Sequence, residues 1–135
     1  MATEASQRLD GVSILLVEDD PETLDMIKFV FDNCGAEVIT ASSAGEALET
    51  LDQFRPDALI SDIAMPDQDG YDLIRQVRSR DPERGGKTPA VAVTAYASAE
   101  DRVRALAAGF QMHVAKPIDP EELIAKVASL TEHIQ

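Results

Sequence analysis

Tryptophan is absent from this 135-residue chain, and two tyrosines with four phenylalanines leave aromatics at 4%. So few rings cannot build a platform for stacking bases. Basic residues are also scarce: 12 Lys and Arg stand against 25 Asp and Glu, for a net charge of −13. Such a chain repels nucleic-acid phosphate and anionic membrane surfaces, so neither is expected as a direct partner. Cys34 is the one cysteine, which excludes an internal disulfide and suits a reducing, cytoplasmic setting. No stretch approaches the roughly 18 apolar residues of a membrane span. The polar opening MATEASQRLDG lacks the apolar segment of a signal peptide, so no membrane insertion is expected. The 44% hydrophobic content suffices for the core of one domain.

Five short β-rich runs are predicted, at Val12–Val17, Glu37–Thr40, Ala58–Ser61, Ala90–Thr94 and Phe110–Ala115. They alternate with helical spacing at Glu22–Asn33, Ala44–Phe54, Tyr71–Ser79, Ala99–Ala108 and Pro120–Thr131. Strict strand–helix alternation predicts a parallel α/β sheet with helices on both faces. Residues 1–10 read as a tail or linker and 11–135 as the domain; Ser79–Pro89 reads as a long polar loop. Helix starts are marked by Ser43 with Glu46, by Ser98 with Asp101, and by Asp119 before Pro120. Asp20 before Pro21 has the same form, so Asp20 is expected to cap backbone N–H groups rather than take part in chemistry.

In an open parallel sheet, ligands bind beyond the carboxyl ends of the strands. Those ends carry Glu18 and Asp19, then Asp62, Thr94 and Lys116. Three carboxylates in one place call for a cation, and oxygen ligands without His or Cys favour Mg²⁺ or Mn²⁺ over zinc. A lysine and a hydroxyl beside such an ion suit phosphoryl transfer, with a carboxylate as nucleophile.

The motifs LLVEDDP, ALISDIAMPDQDGYDLI, AVAVTAYAS and HVAKPID resemble the receiver domain of response regulators in two-component signalling, from about Val12 to Leu130. The resemblance implies a flavodoxin-like (βα)5 doubly wound sheet with strand order 2-1-3-4-5. It implies Asp62 as phosphoacceptor, with Mg²⁺ held by Glu18, Asp19, Asp62 and the backbone carbonyl of Ala64. It implies Thr94 as switch hydroxyl, Lys116 as phosphate contact, Met65, Pro66 and Gly70 shaping the loop after Asp62, and Pro117 following a cis bond. Gly70 is expected to supply a turn conformation. His113 stands where the family often has Tyr or Phe, so its part in the switch is open. Ala64 and Tyr96 occupy positions that tune phosphoryl lifetime in relatives. Expected partners are a histidine kinase or a histidine phosphotransfer protein, docking on a patch at Leu24 and Phe29; Met26, Ile27, Val30 and Phe31 are read as the buried side of that helix. A homodimer through the fourth and fifth helices is a further expectation. The context implied is a free-standing receiver or, slightly favoured, the receiver of a hybrid kinase. The alternatives are an aspartate-nucleophile phosphatase, which wants an acid where Ala64 stands, and a pseudo-receiver scaffold. A signalling acceptor rather than an enzyme is expected.

Overall fold

The computed structural model describes residues 9–65, 69–95 and 98–131. Pro66, Tyr96 and His133 lie outside the described residues, as do residues 1–8 of the expected tail. The strands are β1 (Ser13–Val17), β2 (Glu37–Ala41), β3 (Ala58–Asp62), β4 (Ala90–Thr94) and β5 (Met112–Ala115). The helices are α1 (Pro21–Asn33), α2 (Ala44–Phe54), α3 (Gly70–Arg78), α4 (Ala99–Ala108) and α5 (Pro120–Thr131), with a 3₁₀ turn at Pro82–Arg84 inside the long loop.

All strand pairs are parallel, in the order β2-β1-β3-β4-β5. This is the flavodoxin-like (βα)5 fold with order 2-1-3-4-5. Because side chains alternate across a strand, the sheet serves two cores. Ile14, Leu16, Ile60, Val91 and Val93 pack with Ile27 and Phe31 of α1 and Leu123 and Val127 of α5. Leu15, Val17, Leu59, Ala90 and Ala92 pack with residues of α2, α3 and α4, among them Leu51, Ile74 and Ala105. Nearly continuous apolar strands are what a sheet covered on both faces requires. Among the described residues, no helix is long and apolar enough to cross a membrane.

Capping follows the chemistry of the sequence. Asp20 accepts from Thr23 N at 3.1 Å, Ser43 from Glu46 N at 3.2 Å, Ser98 from Asp101 N at 3.1 Å and Asp119 from Glu121 N at 3.1 Å. Most element ends lie within one residue of expectation, and two larger departures follow from packing. Phe110 does not open β5: its N–H bonds Ala105 O at 3.1 Å and its ring is buried, so it closes α4. Leu9, expected in the tail, is fully buried; its N–H donates to Cys34 O at 2.8 Å and its carbonyl accepts from Val12 N. Packing therefore begins upstream of the first strand.

Candidate functional site

The β1–β3 ladder ends at Val17–Ser61, and the β4–β5 ladder ends at Thr94–Ala115. Backbone bonds continue just past these ends: Glu18 N to Ala41 O at 3.0 Å, Ile63 N to Val93 O at 3.0 Å and Lys116 N to Thr94 O at 2.8 Å. The polar residues at the strand ends are thus placed by continuation of the sheet's backbone hydrogen bonding.

Strand alternation puts Glu18 and Asp62 on one face. Both are buried, at 2% and 5% exposure, while Asp19 is exposed. Carboxylate oxygens from all three lie within 4.8 Å of one another. Lys116 Nζ bridges the buried pair, 3.5 Å from Glu18 Oε1 and 3.4 Å from Asp62 Oδ2. Burial pushes the Glu18 carboxyl up to about 7, helped by Asp62; the Asp20 N–H bonded to Glu18 at 3.1 Å and the Lys116 charge pull the other way. Burial disfavours the charge on Lys116, but the Asp62 and Glu18 carboxylates outweigh it and raise the ammonium above its ordinary value. One ammonium facing three carboxylates leaves excess negative charge. The donor set is oxygen only and compact enough for one hard cation with small adjustments, since opposed ligands around Mg²⁺ lie about 4.2 Å apart. The residues fit Mg²⁺.

Thr94 is buried but belongs to the other face, in line with Ala90 and Ala92. It lines a hollow of about 320 Å³ with Ala64, Met65, Asp69, Tyr71 and Arg104. The Arg104 guanidinium lies 4.2 Å from the centre of the Tyr71 ring, joining α4 to α3. Burial raises the Tyr71 phenol above its ordinary value. The sheet therefore brings Glu18, Asp19, Asp62 and Lys116 together and sets Thr94 next door, behind the segment that carries Ala64.

Met65 is buried and Ala64 exposed. Lys116–Pro117 is cis. Gly70 corrects an expectation: it opens α3 as an ordinary helical residue, and the left-handed glycines lie elsewhere. What it provides is closeness. A Cβ there would sit 2.5 Å from Asp62 O and 2.9 Å from Ile63 Cα, and Gly70 N donates to Ile63 O at 2.8 Å. Asp69, not singled out from sequence, caps α3 by accepting from Asp72 N at 2.9 Å.

His113 lies on β5, half-buried, along a groove of about 720 Å³ between α4 and α5. Its Nε2 is buried without a hydrogen-bond partner among the described residues. On α1 the expected patch is redrawn. Leu24 is half-buried against the α1/α5 core, whereas Met26, read as buried, is 40% exposed beside Phe29 at 66%. The buried stripe runs through 24, 27 and 31, at helical spacing, and turns 26 and 29 outward.

The response regulator receiver domain family model matches residues 14–128. A 14.6 kDa protein in the sodA1 3′ region of Leptolyngbya boryana is 46% identical over 121 residues, covering 90% of this chain and 91% of its own. The transcriptional regulatory protein TrcR of Mycobacterium tuberculosis is 36% identical over 91% of this chain, which spans only 47% of TrcR. The hybrid signal transduction histidine kinase D of Dictyostelium discoideum is 34% identical over 92% of this chain, which spans 8% of that kinase. The receiver domain of a Pseudomonas aeruginosa sensor histidine kinase, solved with a magnesium ion coordinated in its active-site cleft, superposes with a TM-score of 0.82 at 32% identity, covering 90% of this chain and 98% of that one. The chain belongs to the response regulator receiver domain family of two-component signalling.

Proposed function

We propose that this domain accepts a phosphoryl group on Asp62 from a phosphohistidine of a histidine kinase or phosphotransfer protein. The observation that carries the reading is a buried carboxylate at a strand end, 3.4 Å from the Lys116 ammonium and beside two further acids. Glu18, Asp19, Asp62 and the Ala64 carbonyl would hold Mg²⁺, as the magnesium-bound relative supports. The bound ion would neutralise charge on the transferring phosphoryl oxygens. An Asp62 oxygen forms the new O–P bond while the P–N bond to the donor imidazole breaks, its electron pair staying on the departing nitrogen. Lys116 holds a phosphoryl oxygen once its acidic partners are engaged. Gly70 keeps the backbone after Asp62 within contact of α3, with Met65 packed beneath.

Thr94 donates to the phosphoryl group by leaving its hollow, and His113, with an unspent ring nitrogen on the neighbouring strand, follows it. That movement changes the surface of α4, β5 and α5. There Val103 and Leu106 are exposed, the place for pairing with a second copy. Phe29 and Met26 of α1 receive the phosphodonor helix. The domain acts as a signalling acceptor, not a turnover enzyme: the small side chain at Ala64 offers no acid to protonate a leaving group.

The test is intact mass after incubation with acetyl phosphate and Mg²⁺. One added phosphoryl group is expected in the wild type and none in Asp62→Asn. No gain in wild type, or an equal gain in Asp62→Asn, would overturn the reading.

A further inference from the structure

Ser61 is fully buried on β3, among Ala58, Leu59 and Ile60, and directly precedes Asp62. Alternation turns its side chain to the sheet face opposite the Asp62 carboxylate. Its register partners, Val17 on β1 and Ala92 on β4, belong to the apolar core of that face. A hydroxyl left unpaired in such surroundings is costly. Ser61 Oγ instead donates to the carbonyl oxygen of Asp62 at 2.9 Å.

That carbonyl is where other restraints converge. It lies past the last paired residues of β1 and β3, Val17–Ser61, and a Cβ on Gly70 would meet it at 2.5 Å. The same peptide unit continues into Ile63 N, which donates to Val93 O at 3.0 Å, and the Ile63 carbonyl accepts from Gly70 N at 2.8 Å. The plane of this peptide sets ψ of Asp62, hence the direction in which its carboxylate leaves the strand and the start of the segment carrying Ala64.

We infer that Ser61 is a positioning residue for Asp62: from the far face of the sheet, its hydroxyl holds the Asp62 carbonyl and so fixes the aim of the carboxylate. The inference rests on Asp62 being the phosphoacceptor.

Ser61→Thr and Ser61→Val share a shape and differ in the hydroxyl. With the full chain, saturating Mg²⁺ and acetyl phosphate, Ser61→Thr is expected to keep the wild-type maximal rate of phosphoryl uptake. Ser61→Val is expected to lower it about fivefold, with the half-saturating acetyl phosphate concentration unchanged. The ¹³C resonance of the Asp62 carbonyl should move in Ser61→Val and stay in Ser61→Thr. Ser61→Ala, which removes the hydroxyl without added bulk, should repeat the valine result well below its melting temperature. A wild-type rate in folded Ser61→Ala, or valine and threonine variants alike in rate and resonance, overturns the inference alone. A wild-type chain that takes no phosphoryl group overturns the Asp62 reading and this inference with it.

Discussion

The two ends of the sheet bury charge by opposite means. At the amino ends of β4 and β5, the half-buried Arg78 guanidinium donates to Gly109 O at 2.9 Å, Gly86 O at 3.0 Å and Gln111 Oε1 at 3.0 Å. Gln111 Oε1 also accepts from Ala90 N at 2.7 Å. Burial lowers the Arg78 pKa below its ordinary value, yet these partners are neutral oxygens fixed by backbone, and nothing there asks for a further ligand. At the carboxyl ends, two buried carboxylates share one half-buried ammonium, with the exposed Asp19 carboxylate beside them. The first arrangement is closed, with each guanidinium nitrogen bonded. The second is open: its excess negative charge is reduced by a proton and offset in full by a divalent cation. A fold thus shows where it works by which of its buried charges are left incompletely answered.

The contrast breaks most sharply by removing the cation at each end. Lys116→Ala should slow phosphoryl uptake about 10²- to 10³-fold, the cost of losing one preorganised electrostatic contact. Its stability should stay near wild type, because the Glu18 carboxyl, pushed up to about 7 chiefly by burial, can hold a proton in place of the ammonium. Arg78→Ala should do the reverse. It leaves the carbonyls of Gly86 and Gly109, buried and half-buried, without that donor, so stability should fall by about 2 kcal/mol, while uptake by the folded fraction stays at the wild-type rate. Denaturant midpoints and labelling rates of both variants check this. Two variants losing both properties together would abolish the distinction between the ends.

Acid titration sharpens it. Glu18 ionises near 4.5 in an unfolded chain but near 7 in the fold, chiefly through burial. Between those values the folded chain holds a proton that the unfolded chain has released. Folding stability in EDTA should therefore fall as pH rises from about 4.5 to about 7 and level off above, against the usual trend for a paired carboxylate. Magnesium bound by Glu18 would displace the same proton. Its apparent affinity should rise with pH, by at most about tenfold per unit, until Glu18 is ionised. Glu18→Gln should flatten both curves; wild-type and Glu18→Gln profiles that run parallel would remove Glu18 as their source.

Much of this was legible from residues alone. Each strand is an apolar run closed by a polar residue, and the caps at Asp20, Ser43, Ser98 and Asp119 are local chemistry that no tertiary contact overrides. The acids and Lys116 could be grouped because parallel strands end on one edge. What stayed hidden depends on three-dimensional packing. Phe110 has strand propensity, but it turns in to close α4. Leu9 is a single apolar residue in a polar stretch, with no periodicity to reveal its burial. The side of the sheet taken by Thr94 follows from counting along β4, yet the hollow it lines needs Tyr71 and Arg104 from two other helices. A hydroxyl inside an apolar strand was the one available sign of the Ser61 contact.

The smallest expected effect concerns a surface that belongs to neither end. Phe29 is 66% exposed on α1, with Met26 at 40% beside it, and the buried stripe of the helix runs elsewhere. Truncating an exposed ring removes little from the core, so Phe29→Ala should leave the denaturant midpoint within about 0.5 kcal/mol of wild type. Acetyl phosphate has no helix to dock, so its labelling rate should not change either. Transfer from a phosphorylated kinase or phosphotransfer protein should slow by about three- to tenfold, the effect of losing one apolar anchor at an interface. If the slowing is shared by both donors, the ring is acting on the acid cluster rather than on the partner. If neither slows, the docking surface lies on another face of the domain.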